Sequence, residues 1–193
     1  MGTSGSGKST LLNLLGCLDI PTQGTYELGG QDVSQMTDDE LSRIRNEDIG
    51  FIFQSFQLIP QLTVLENVQV PLLYGDSSIS ENEEHCRSIL GSVGLSHRLT
   101  HRPSPLSGGE CRRVAIARSL INAPLILLAD EPTGNLDPDL ARSVMELFCR
   151  FNELGTTVLI ASHDIGLIES LHMPVLNLVA GRIAEASGVP VGP

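Results

Sequence analysis

GTSGSGKST, residues 2–10, stands almost at the head of the chain and runs directly into LLNLLG. Glycines at positions 2, 5 and 7 let the backbone take turns closed to bulkier residues, so several N–H groups can point inward around one anion. Lys8 supplies a cation on a long stem, and Ser9 a hydroxyl beside it. The arrangement satisfies GxxxxGK[ST] at every constrained position. Leu11, Leu12, Leu14, Leu15 and Leu18 recur at helical spacing, so the loop opens a helix over Ser9 to Leu18 whose positive N-terminal end faces the same anion. A disordered glycine-serine tail would not pass at once into such a helix. The stretch predicts a nucleoside triphosphate site built from Ser4, Gly5, Ser6, Gly7, Lys8, Ser9 and Thr10. In it Lys8 reaches the β- and γ-phosphates and the Ser9 hydroxyl ligates Mg2+.

Such a site also needs a carboxylate for the metal. PLILLAD (124–130) reads as a short strand buried on both faces that ends on Asp130. Asp130 is expected to hold Mg2+ directly or through water, and the adjacent Glu131 to polarise the attacking water. No guanine-reading NKxD motif follows, which favours ATP over GTP. TTVLIASHD (156–164) is a second apolar strand, with His163 at its end, and IGFIFQ (49–54) a third, ending on Gln54.

The remaining elements follow from turn and cap chemistry. DIPTQG (19–24) is a turn, and TYEL-GG-QDV reads as a short hairpin. Thr37 with Glu40, Thr63 with Glu66 and Ser80 with Glu83 form capping boxes, each placed to start a helix. Asp137–Pro138 reads as an N-cap with proline in the first turn, and Gly155 closes that helix. VLNLVAGRI (175–183) predicts a last strand and turn. Strands alternating with helices imply an α/β domain with a mostly parallel sheet. One domain is expected over 1–193, with a core from 1–62 and 123–185, a helical insertion over about 63–122 and a loose tail at 186–193.

The 193 residues are 41% hydrophobic and 18% charged, with a net charge of −11. An acidic surface repels phosphate backbones, so nucleic acid is not expected as a partner. The four cysteines, Cys17, Cys86, Cys111 and Cys149, form no CxxC pair and have no zinc-ligand spacing, so they read as reduced thiols. No apolar run approaches the ~18–20 residues that cross a bilayer, so any membrane role would pass through a partner.

LSGGE (106–110) narrows the reading. It resembles the signature motif of the ABC ATPases, and with GTSGSGKST, FIFQ, LADEPTGNLD and SHD in the family's order the resemblance covers almost the whole chain. GCLDIPTQGTY, ENVQVPLLY and ADEPTGNLD are similar to the macrolide-exporter and lipoprotein-release branch. LFCRFNELGTTVLIASHDIGLIE is similar to the cell-division ATPase of that branch, and the two are not separated by sequence. The resemblance implies a P-loop NTPase with a RecA-like, mostly parallel sheet plus a helical subdomain. It implies a head-to-tail homodimer formed on ATP binding, with two ATPs at the seam. The phosphate loop, Asp130, Glu131, Gln54 and His163 would hold each ATP from one side; Ser107, Gly108 and Gly109 would come from the other protomer, with Asp137 near the seam. Gln54 would touch the metal or the attacking water and signal to a transmembrane permease subunit, and His163 would contact the γ-phosphate. Ser107 with Glu110 is also a capping box, and both roles can hold.

The function this implies is an ATPase subunit that powers an ABC transporter from the cytoplasmic face of a membrane. Alternatives are a mechanical regulator of a membrane or cell-wall complex, and an inactive remnant. The chain departs from the family pattern in places. Glu110 stands where glutamine is usual, Cys111 and Arg112 stand where glutamines are common, and Arg113 matches an arginine expected to form a structural ion pair. Family members carry residues ahead of the phosphate loop, including an aromatic that stacks on adenine, antiparallel strands and the strand that feeds the loop. Without these, a fragment or a mis-assigned start is expected, with apolar surface exposed. Neither Tyr26 nor Tyr74 is placed to replace the aromatic, and His85, His97, His101 and His172 are expected at the surface.

Overall fold

The structure is a computed structural model that describes residues 5–74, 79–134, 136–164, 166, 168 and 173–187. Its first half contains α1 (Lys8–Leu15), β1 (Glu27–Leu28), β2 (Gln31–Asp32), α2 (Asp38–Glu47), β3 (Ile49–Ile52), α3 (Val64–Gln69) and α4 (Ile79–Ser92). Then come α5 (Gly108–Leu120), β4 (Ile126–Asp130), α6 (Pro138–Glu153), β5 (Thr157–Ala161), β6 (Val175–Val179) and β7 (Arg182–Ser187).

The central sheet has the order β3-β4-β5, and both pairings are parallel. Alternation along β4 divides the core. Leu128 faces one layer with Leu12 of α1 and Leu41 and Ile44 of α2. Leu127 and Ala129 face the other, with Val114 and Ile116 of α5 and Val144 and Phe148 of α6. A strand covered on both faces must be apolar along its length, and this is the ILLA run that the sequence shows. Two small antiparallel pairs, β1-β2 and β6-β7, stand apart from this sheet. Beside β5 lies a mainly apolar groove of about 440 Å³, bordered by Leu11, Phe148, Val158, Ile160 and Leu178.

The helical part hangs from the sheet through α3 and α5. Asn67 is fully buried, yet satisfied: its Oδ1 accepts from the Ile59 N–H, and its Nδ2 donates to the carbonyls of Ile59, Leu62 and Thr63. One amide side chain thus fixes the bend that leads from the core into α3. The start of α3 is tied to the loop before α5, because Val64 and Leu65 donate to the carbonyls of His101 and Leu99.

Most expected boundaries hold, with physical reasons where they move. Helix α1 stops at Leu15, because Cys17 takes φ 51° and Gly16 caps the turn; Leu18 is left half exposed. Strand β3 ends at Ile52, two residues before Gln54. The capping boxes at Thr37 and Thr63 are formed in both directions. Ser80 lies inside α4 rather than ahead of it, and Glu83 pairs with Arg87 instead. Ala186 and Ser187 belong to β7, so the stretch expected to be loose begins with strand; residues 188–193 lie outside the described residues.

Candidate functional site

Parallel strands end on one edge of the sheet, and that edge gathers the chemistry. The registers Ile52↔Ala129 and Asp130↔Ala161 bring the C-terminal ends of β3, β4 and β5 level. Ser9, in the first turn of α1, donates its hydroxyl to Asp130 Oδ2 at 3.0 Å. Glu131 follows with φ 48°, and its N–H donates to the Ala161 carbonyl, which carries the pairing one residue beyond β4. This backbone turn sets the Glu131 carboxylate against His163, with Nδ1 and Oε1 2.8 Å apart. The hydrogen bond that His163 donates to the Glu131 carboxylate, then the charge of that carboxylate, raises the His163 pKa above its ordinary value. Gln54 sits exposed in the loop two residues after β3, and its side chain makes no hydrogen bond among the described residues.

The phosphate loop itself has the expected backbone. Gly5 and Gly7 take φ of 79° and 100°, the left-handed region closed to most side chains. Gly7 is the N-cap of α1 and has no side chain to occupy the amides of the first turn, where Thr10 also lies. Ser6 is buried, its carbonyl accepts from Gly181 in the β6–β7 turn, and its Oγ is buried without a partner among the described residues. A satisfied fold rarely leaves a hydroxyl in that state, so this orphaned oxygen fits a loop built to enclose a polar ligand. Ser4 lies outside the described residues, as do Gly2 and Thr3.

Among the described residues no three His, Cys, Asp or Glu side chains converge on one point. The donor set present, one hydroxyl and one carboxylate, suits magnesium, which takes one or two protein oxygens and completes its shell with water and substrate phosphates.

The signature motif lies elsewhere on the chain's surface. Ser107 is the N-cap of α5: its Oγ accepts from the Glu110 N–H at 3.2 Å, and its own N–H donates to Glu110 Oε2 at 2.8 Å. The serine itself is exposed. Glu110 also accepts from Arg98 Nε at 2.8 Å, and the Ser107 amide with this guanidinium holds its pKa down to about 2. Gly108 is exposed and Gly109 buried. A Cβ on Gly109 would stand 2.6 Å from Leu140 Cδ2, so the first turn of α6 presses directly on this backbone. Asp137 caps that same turn, its Oδ1 accepting from the Leu140 N–H at 3.0 Å. The expected site residues therefore fall into two groups. Lys8, Ser9, Asp130, Glu131 and His163 share the sheet edge, while Ser107, Gly108, Gly109 and Asp137 surround the starts of α5 and α6. No described hydrogen bond or ion pair joins the groups.

Several residues depart from their expected places. Among the described residues Arg113 has no ion pair and its Nε is buried without a partner; Glu110 of this helix pairs instead with Arg98, with His97 Nε2 4.0 Å away. His101 is half-buried rather than at the surface, whereas His85 and His97 are exposed as expected, with His85 Nε2 2.9 Å from the Ile121 carbonyl; His172 lies outside the described residues. Arg112 and Arg118, to which the sequence assigned no contacts, hold the segment after Gln54: Arg118 donates to the carbonyls of Phe56 and Gln57, and the Arg112 guanidinium lies over the Phe56 ring. Beside that segment a groove of about 370 Å³ is bordered by Phe51, Phe53, Ile59, Val70 and Tyr74, with Leu73 and Tyr74 more than three-quarters exposed.

Comparison with known proteins agrees with this geometry. The family model described as "ABC transporter" matches residues 1–134. An ABC transporter ATP-binding protein of Thermotoga maritima is 48% identical over 194 residues, covering 100% of this chain and 82% of the relative. The macrolide export ATP-binding/permease protein MacB of Syntrophobacter fumaroxidans is 50% identical over 191 residues, 97% of this chain but 27% of that protein. Among solved structures, the dimeric post-hydrolysis state of the ATP-binding cassette MJ0796 bound to ADP and Pi matches with a TM-score of 0.85 at 42% identity, over 96% of this chain and 82% of that one. The chain belongs to the ABC transporter family, as one of its ATP-hydrolysing ATP-binding cassettes.

Proposed function

We propose that two copies of this chain close head to tail on ATP, with Lys8 and Ser9 of one copy and Ser107, Gly108 and Gly109 of the other on the same triphosphate. The observation that carries this reading is the separation of the two groups. The Ser9–Asp130 and Glu131–His163 contacts sit at the sheet edge, and an exposed Ser107 caps the start of α5. Each group alone supplies half of what a γ-phosphate needs: a hydrolytic carboxylate on one side and helix-end donors on the other. Magnesium, bound by Ser9 and Asp130 with Gln54 at its margin, would neutralise phosphate charge. Asp137, at the start of α6, would sit at the seam. Glu131 then orients the attacking water and His163 steadies Glu131 through their 2.8 Å contact.

The groove next to Phe53 and Tyr74 is the surface this reading gives to a transmembrane permease subunit. It lies directly after Gln54, has an apolar border and exposes Leu73 and Tyr74. No helix among the described residues is long and apolar enough to cross a membrane, so this subunit would join the cytoplasmic face of a membrane through that partner. The division into a sheet core, 1–62 and 123–185, with a helical unit over about 63–122, follows the same logic. The core holds the phosphate loop and Asp137, and the helical unit carries Ser107, Gly108 and Gly109.

The test separates binding from turnover. Glu131→Gln is expected to keep Mg-ATP affinity while lowering phosphate release by about 10²-fold or more, the size of a general-base contribution. Lys8→Ala is expected to weaken binding itself. Equal losses of affinity in the two variants would refute this assignment of roles.

A further inference from the structure

Arg112 belongs to neither group of site residues, yet it touches the loops that follow both Gln54 and Glu131. Its side chain is 4% exposed. The guanidinium carbon lies 4.9 Å from the centroid of the Phe56 ring, two residues past Gln54. Nη2 donates to the Gly134 carbonyl at 3.2 Å, midway between Glu131 and Asp137. Nη1 is buried with no partner among the described residues, and no described carboxylate pairs with the charge. Burial lowers the pKa of the group.

A cation in this state is under-compensated. One carbonyl and one ring face offset only part of the cost of removing a guanidinium from water, and an apolar side chain of similar volume would serve packing better. Its stability contribution therefore does not account for an arginine here. What an arginine offers is reach in two directions from one rigid fork. Arg118, on the same helix, donates to the carbonyls of Phe56 at 2.9 Å and Gln57 at 2.8 Å. The segment after Gln54 is thus fastened to α5 by two arginines. Of these two, only Arg112 also reaches the loop between Glu131 and Asp137.

We propose that Arg112 is a positioning residue: from the signature helix α5 it sets the loop after Gln54 and the loop between Glu131 and Asp137 in one fixed relation. A movement of α5 then shifts both loops together. The water-orienting side and the signature side of the site stay in register through this single side chain. The inference rests on the ATPase reading above, and concerns how its parts are aligned.

The experiment compares the full chain with Arg112→Met and Arg112→Lys in three measurements: thermal melting, Mg-ATP hydrolysis and backbone hydrogen exchange. Arg112→Met is expected to melt at or above the parent temperature. It is expected to hold KM for ATP within about twofold and lower kcat about tenfold, the pattern of a lost alignment rather than lost binding. Arg112→Lys, which keeps the charge without the planar fork, is expected to recover part of kcat. Without nucleotide, Arg112→Met should speed exchange at Gln57 and at Gly134 and Leu136 by about tenfold, with the rest of α5 unchanged. Parental kcat in Arg112→Met would overturn the proposal, as would a kcat loss that follows a lowered melting temperature and is not restored by lysine. Unchanged exchange at both loops would overturn it too. Absence of ATP hydrolysis in the parent chain would refute the ATPase reading instead, and the exchange measurement would still decide this one.

Discussion

Ser9 and Asp130 are 121 positions apart in sequence and meet at 3.0 Å, hydroxyl to carboxylate. The contact joins the first turn of α1 to the end of β4, and it forms because the phosphate loop and the strand finish at the same edge of a parallel sheet. It also aligns two oxygens suited to one hard cation. Asp130→Asn should keep the fold and raise the magnesium concentration needed for half-maximal nucleotide binding by about 10–100-fold. A titration of Mg2+ against a fluorescent ATP analogue measures this. An unchanged magnesium requirement would remove Asp130 from the metal site.

Gly109 makes a prediction that runs against helix propensity. Alanine in the first turn of a helix normally helps by up to about 1 kcal/mol relative to glycine. Here a Cβ would lie 2.6 Å from Leu140 Cδ2, and the clash should win, costing about 1–3 kcal/mol. Urea denaturation of Gly109→Ala should show that loss, and adding Leu140→Ala should remove most of the clash penalty. If the double variant is simply the sum of the two single losses, Leu140 is not the neighbour that requires the glycine.

Glu110 carries a pH signature. Its folded pKa of about 2 lies below the ordinary value of 4.5, so the unfolded chain binds the proton first as pH falls. Its contribution to stability is therefore complete above about pH 4.5 and is lost as pH falls toward about 2. The difference in urea midpoint between the parent and Glu110→Ala should be constant from neutral pH to about 5 and should shrink below that. A gap that widens in acid would mean that the Ser107 amide and Arg98 do not hold this carboxylate.

How far the sequence reaches depends on the range of the interactions involved. The phosphate loop, the strand ending on Asp130 and the caps at Thr37, Thr63, Ser107 and Asp137 are legible because each rests on contacts within a few residues or on a simple period. Ser80 shows the weakness of that approach. A Ser-x-x-Glu spacing does not say whether the helix has already begun, and α4 starts one residue earlier. The contacts of Arg112, Arg118 and Asn67 had no signal in the sequence. Arg112 and Arg118 reach backbone carbonyls 22 to 62 positions away, and Asn67 binds a bend that only the folded chain defines. Arg113 failed in the same way, because the carboxylate of its helix had a nearer partner in Arg98. The split of the site into two groups was readable only through family resemblance. The structure gives it a physical form, with Ser107 exposed, its amide and oxygen engaged by Glu110, and no described bond to the phosphate loop.

The most direct measurement is light scattering of the Glu131→Gln chain, which should trap bound nucleotide, with and without Mg-ATP, beside the same chain carrying Ser107→Arg. The account predicts a monomer without nucleotide, a dimer with Mg-ATP, and a monomer again when Ser107 is replaced. A chain that binds Mg-ATP tightly and stays monomeric, or dimerises equally well with arginine at position 107, would contradict it.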